Sequence, residues 1–233
     1  MNRETLLKSL DYYLIPCDDK TCDLLFTFMN ETLTTNEKFN LTAITDKEQF
    51  VEKMIFDSAL ALHSYDFKGL KAIDVGTGAG YPGMVLKILE PSIDMTLLDS
   101  TGKKIEYLKE FALANNIKIN VVIARAEDYA STHREEFDIA TARAVANLSI
   151  LLEIITPMLK VGGVFLALKG PGYEKEINEA KKAFEKLSLK IDSIEEFVLP
   201  ESKEERAIIV IKKIDKTKPK YPRDYSMIKK QPL

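Results

Sequence analysis

Ala72-Ile-Asp-Val-Gly76-Thr-Gly78-Ala-Gly80-Tyr81-Pro82-Gly83 is an apolar run that breaks into three glycines at alternate positions. Such a strand, glycine turn and helix start bring backbone amides close to a ligand, and Pro82 suits the first turn of a helix. Asp99 lies 23 residues after Gly76. At that distance a carboxylate either accepts hydrogen bonds from ribose hydroxyls or satisfies the open amides of the next helix. Ala126 and Glu127 follow a third apolar run, and Arg143 a fourth. Gly76, Gly78, Gly80, Asp99, Ala126 and Glu127 are together expected to form a nucleoside pocket. Asp74 serves either the loop backbone or a ligand ammonium through water. Tyr81 either covers the ligand or caps the core. Arg143 carries a planar fork of donors for a carboxylate, a phosphate or a guanine edge, with a surface ion pair as the plain alternative. Lys169-Gly170-Pro-Gly172 adds a basic turn beyond the fifth run.

These residues need a scaffold that gathers strand ends. Leu70–Val75, Ile93–Leu98, Ile119–Ile123, Phe137–Thr141 and Val164–Leu168 read as strands, and the spacing predicts helices over 84–89, 103–114, 148–159 and 174–187. Alternation of this kind implies a doubly wound α/β fold with a mostly parallel, seven-stranded sheet, whose carboxyl edge holds the ligand. Residues 190–199 and 206–214 lack a helix between them and predict a closing antiparallel hairpin. Residues 2–35 read as two amphipathic helices parted near Pro16, the second capped by Asp18 or Asp19, and a further helix is expected from Lys47 to His63. The expected organisation is an N-terminal helical extension (1–66), a cofactor-binding domain (67–214) and a basic C-terminal tail (215–233).

The composition is ordinary for a globular chain, 45% hydrophobic and 30% charged with a net charge of −3. No apolar run approaches the roughly 20 residues that span a bilayer, and the N-terminus lacks the blocks of a signal peptide. A cytoplasmic protein without membrane contact is expected. Cys17 and Cys22 read as reduced thiols, and with only two scattered histidines no metal site is expected. Residues 212–233 carry eight basic side chains against two acidic ones. From charge alone that tail is either a nucleic-acid-binding extension or a solvated segment. The loop spacing G-x-G-x-G departs from the dinucleotide fingerprint G-x-G-x-x-G, and no P-loop lysine is present.

Asp74-Val-Gly-Thr-Gly-Ala-Gly, Leu97-Leu-Asp-Ser and the closing hairpin resemble class I S-adenosylmethionine-dependent methyltransferases. Asn40-Leu-Thr, Asp57-Ser58, Gly76 to Gly83, Leu98-Asp99-Ser100, Arg125-Ala-Glu127, Thr141-Ala-Arg143-Ala-Val-Ala146 and Ala167-Leu-Lys169-Gly170 resemble, more narrowly, the bacterial 16S rRNA (guanine-N7) methyltransferase G family, also called glucose-inhibited division protein B. The resemblance implies S-adenosyl-L-methionine as cofactor and methylation of a guanine N7 in a loop of 16S rRNA. It places Gly76, Tyr81, Ala126, Glu127 and Arg143 on cofactor-binding positions, and Asp99 on the acidic position for the ribose. Because guanine N7 carries no proton, the chemistry needs alignment and no general base; Arg143 is the expected catalytic residue. The implied partner is 16S rRNA or the small subunit, bound by a monomer. Two departures stand out: Met54 occupies the usual His of a His-x-x-Asp-Ser pattern, and Asp224-Tyr-Ser-Met replaces a Pro/Gly run in the tail. A methyltransferase of other acceptors and a non-catalytic binding module are the rival readings of the residues.

Overall fold

The computed structural model describes all 233 residues. Seven strands form one sheet: β1 (Lys71–Val75), β2 (Asp94–Asp99), β3 (Asn120–Ile123), β4 (Phe137–Arg143), β5 (Leu159–Lys169), β6 (Leu189–Val198) and β7 (Glu205–Lys213). Their order is β3-β2-β1-β4-β5-β7-β6. The first five pair in parallel, whereas β7 runs antiparallel between β5 and β6. The expected mostly parallel sheet with a closing hairpin is therefore present. The order reverses at β1, so β1 and β4 part their connecting loops and open a crevice at the carboxyl edge.

Helices cover both faces. On one side pack α1 (Arg3–Tyr12), α2 (Asp19–Asn36), α3 (Lys47–Phe50), α4 (Asp57–Ser64), α5 (Gly83–Leu89) and α6 (Gly102–Ala114); on the other lie α7 (Ala126–Thr132), α8 (Leu148–Ile155), α9 (Tyr173–Glu179), α10 (Lys181–Lys186) and α11 (Tyr225–Lys230). The strand period of two sorts the residues between them: Val164, Leu166 and Leu168 join the first core, and Phe165 and Ala167 the second. The N-terminal helices share the first core with the sheet. Asp18 caps α2 by accepting from the Thr21 amide at 2.7 Å. Cys17 and Cys22 are free thiols, and burial pushes the Cys17 thiol up to about 12.

Several elements differ from the sequence reading. The helix expected over 47–63 is continuous but holds a π-turn at Val51–Phe56, which side-chain periodicity does not register. The run 174–187 divides at Ala180, whose ψ of 5° breaks the helical repeat while its side chain is buried. Helices α7 and α11 bury only Ala130 and Ile228, so neither carries an apolar stripe. The C-terminal tail packs against the body of the molecule over part of its length, while six of the eight basic side chains of 212–233 stay exposed. Arg134 donates to the Thr217 and Tyr221 carbonyls at 2.9 and 2.7 Å, and Tyr221, Ile228 and Leu233 are buried. Lys213 is fully buried and donates to the Leu159 carbonyl at 2.7 Å. Arg223 grips Glu153, itself 0% exposed, at 2.6 and 2.7 Å. Charge counting cannot anticipate this, because these cations are used inside the molecule.

Candidate active site

The glycine loop turns back over β2: the Gly76 and Thr77 amides donate to the Leu98 carbonyl at 2.8 and 3.0 Å. Gly76, Gly78 and Gly80 have φ of 70°, 58° and 96°, values an L side chain adopts only with strain. Asp74 braces the loop from beneath. It is fully buried, accepting from the Gly83 amide at 2.9 Å and from the Thr141 hydroxyl at 2.8 Å, and burial pushes its carboxyl above the usual range. Of the two sequence alternatives, the structure takes the backbone one. Gly80 is likewise internal: a Cβ there would stand 2.7 Å from Leu108 and 2.9 Å from Phe28. Both residues lie outside the cavity lining, buried one layer below it.

That cavity, about 950 Å³, opens at the carboxyl edge of the sheet. Gly76, Gly78, Asp99, Ala126 and Glu127 line one end. Asp99 accepts from the Gly78 amide at 3.0 Å and from the Thr101 amide at 2.8 Å, so it both steadies the loop and serves the next helix. A carboxylate offers about four lone-pair sites, leaving capacity for a ligand hydroxyl. Lys104 and Arg125 border the same end without an ion-pair partner among the protein's carboxylates.

Tyr81 forms part of the wall and of the core together. Its ring stacks on Phe28 with centroids 4.9 Å apart, and its hydroxyl meets that of Thr32 at 3.2 Å. Thr32 also bonds the Tyr107 hydroxyl at 2.7 Å, tying α2 to the loop and to α6. Arg143 stands at the centre, its guanidinium carbon 6.0 Å from the Tyr81 ring centroid. It donates to the Lys53 carbonyl at 2.8 Å and to the Met54 sulfur at 3.1 Å, and pairs with Asp57 at 3.4 Å. All three partners come from the π-turn or the residue after it, whose wide turn presents them toward β4. Asp57 also pairs with Arg206 at 3.1 Å. Met54 thus fills the departure from the His-x-x-Asp-Ser pattern with a weak sulfur acceptor. Arg143 is an internal ion-pair partner as well as a cavity residue, with a side chain 14% exposed.

The opposite end was not legible as a unit. Ile150, Ile154, Lys169, Glu176 and Tyr225 line it, brought from α8, β5, α9 and α11. Lys169 donates to Glu176 at 2.7 Å and to the Ala146 carbonyl at 3.1 Å. The basic turn at 169–172 was the one signal pointing there; Glu176 and Tyr225 gave none, being polar or aromatic residues in short helices. No group of three or more His, Cys, Asp or Glu side chains is placed to hold a metal ion.

Residues 21–208 match the sequence model of the family described as rRNA small subunit methyltransferase G. A protein of Lactobacillus johnsonii named ribosomal RNA small subunit methyltransferase G is 40% identical over 241 residues, covering 100% of both chains. One of the same name from Caldicellulosiruptor bescii is 44% identical over 237 residues, covering 99% of this chain and 100% of its own. Among solved structures, a putative methyltransferase from Bacillus halodurans is similar with a TM-score of 0.55 at 15% identity, covering 68% of this chain and 99% of its own. The geranyl diphosphate C-methyltransferase of Streptomyces coelicolor, solved with S-adenosyl-L-homocysteine, gives 0.53 at 10% identity, with 67% and 78% covered. At these identities the likeness is one of fold, the class I methyltransferase sheet.

Proposed function

The chain belongs to the rRNA small subunit methyltransferase G family and is a methyltransferase, and we propose that it methylates N7 of a guanine in a loop of 16S rRNA, using S-adenosylmethionine. The observation that carries this reading is one cavity with two unlike ends. The glycine loop and the Asp99 carboxylate stand at one, the α8–α11 wall at the other, and Arg143 between them. The first end fits the cofactor, because Gly78 leaves the loop backbone uncovered, Gly76 gives up its side chain to make room for Val145, and Asp99 retains acceptor capacity for ribose hydroxyls. When bound there, S-adenosylmethionine supplies an electrophilic methyl group on a sulfonium.

In this reading Gly76, Gly78 and Tyr81 shape the seat, Asp99 takes the ribose, and Ala126 and Glu127 border the base. Asp74 and Gly80 hold the loop from within. With that methyl group supplied, the site's residues would have to align the guanine N7 lone pair with it and tolerate the positive charge that the base would gain. No proton moves, so the site needs no general base, and none of its residues forms an acid–base dyad. Arg143 orients the base or the cofactor carboxylate from a position fixed by Lys53, Met54 and Asp57. The target base must be unpaired or extruded to reach such a pocket. The protein works in the cytoplasm as a monomer on the small subunit or its RNA.

Labelled methyl transfer to small-subunit RNA from cells lacking this enzyme tests the reading, with the product mapped by reverse transcription after cleavage at N7-methylguanine. Incorporation at one guanine is expected. Label appearing only in protein or small molecules would refute the RNA substrate, and failure to bind S-adenosylmethionine would favour a non-catalytic module.

A further inference from the structure

The far end of the cavity carries an acceptor that the protein leaves free. Glu176 receives the Leu148 amide and the Lys169 ammonium at 2.7 Å each, and both bonds fall on Oε2. Its Oε1 takes no hydrogen bond, although the side chain is only 27% exposed and lines the cavity. Across the same end lies Tyr225, half-buried, its hydroxyl without a partner. Three independent anchors hold Tyr225 there: Arg223 on Glu153, the buried Ile228 and the buried C-terminal Leu233. Ile150 and Ile154 complete an apolar border.

We infer that Glu176 and Tyr225 form the subsite that reads the target base as guanine, Tyr225 by stacking and Glu176 by accepting from the N1–H and 2-amino groups. This rests on the RNA-methylating function above. Guanine alone among the four RNA bases presents these two donors side by side, and a carboxylate is their complement. N7 lies on the opposite edge of the purine. A base held by its Watson–Crick edge at the α9 side therefore turns N7 away from Glu176, toward Arg143 and the glycine loop. Aromatic side chains are the common platform for unstacked RNA bases. Adenine has an acceptor at N1 and no 2-amino group, so it offers Oε1 neither of these donors.

The test uses the full-length chain and small-subunit RNA whose mapped target guanine is replaced by inosine, which keeps N7 and N1–H but lacks the 2-amino group. With wild-type protein, inosine is expected to lower kcat/KM roughly 10-fold or more, the scale of one lost base-edge contact. Glu176→Gln is the informative variant. Leu148 N–H and Lys169 both require an acceptor on the buried side, so the amide turns its NH2 toward the base and replaces an acceptor with a donor. The variant is expected to lose roughly 10- to 100-fold on guanine RNA, to lose the distinction between guanine and inosine, and to keep wild-type affinity for S-adenosylmethionine. Tyr225→Ala is expected to raise KM for RNA about 10-fold, with Tyr225→Phe restoring most of it. A Glu176→Gln protein with wild-type activity, or with the wild-type inosine penalty, would overturn the assignment. So would a change confined to melting temperature. Wild-type protein that methylates no RNA would instead remove the function on which the inference rests.

Discussion

At the scale of single residues, the site separates side chains that touch the cavity from those that hold them. Arg143→Ala is expected to abolish methyl transfer while circular dichroism reports an unchanged fold, since Asp57 keeps Arg206 as its partner. Full turnover by that variant would take Arg143 out of the reaction. Asp99→Ala should weaken S-adenosylmethionine binding by about 1–3 kcal/mol, the range for a lost hydrogen bond to a charged group, and titration calorimetry measures it directly. Gly80→Ala tests the layer beneath. At φ 96° and with Phe28 2.9 Å from the added carbon, it should cost about 1–3 kcal/mol of stability in chemical denaturation. The triple glycine pattern was legible in the sequence; its division into Gly76 and Gly78 at the cavity and Gly80 in the core was not.

Among elements, the π-turn and the β6–β7 hairpin form a clamp around Arg143. Glu52 in the turn is buried and accepts the Glu201 and Ser202 amides from the hairpin loop at 2.6 and 3.0 Å. Lys53 pairs with Glu204, and Glu204 with Arg206 at 2.7 Å. The Lys53 hydrogen bond, and then that of Arg206, hold the Glu204 carboxyl below the usual range. A lowered carboxyl stabilises the fold above its ordinary value of about 4.3 and loses that contribution as pH falls through the lowered value. Wild type and Glu204→Gln are therefore expected to differ in urea stability near neutral pH and to converge in strong acid. A gap that persists unchanged in acid would count against the ion pair. Half-exposed Glu204 makes this a small effect.

For the molecule as a whole, the chain ends close the cavity. Residues 1–66 join the first core through Thr32, Phe28 and Phe50, and the last residues join the second through Tyr221 and Leu233. Removing Arg223 leaves the fully buried Glu153 carboxylate without its charge partner. Arg223→Ala is expected to cost about 3 kcal/mol on that account and to raise KM for RNA through loss of the Tyr225 wall. Thermal unfolding and RNA titration read the two effects separately. Lys212, Lys216, Lys218, Lys220, Lys229 and Lys230 remain exposed.

Readable from the chain alone were the alternation of strands and helices, the glycine turn, the acidic residue that ends β2 and the arginine that ends β4. Each is a local pattern, written in spacing, side-chain period or backbone need. Tertiary structure alone decided which charges are spent internally and which face the cavity. Asp74 and Glu153 are buried and find partners in segments distant in sequence, and Glu176 and Tyr225 reach one wall although 49 residues separate them. Burial and partnership are pairwise properties of a folded chain, and no one-dimensional pattern carries them.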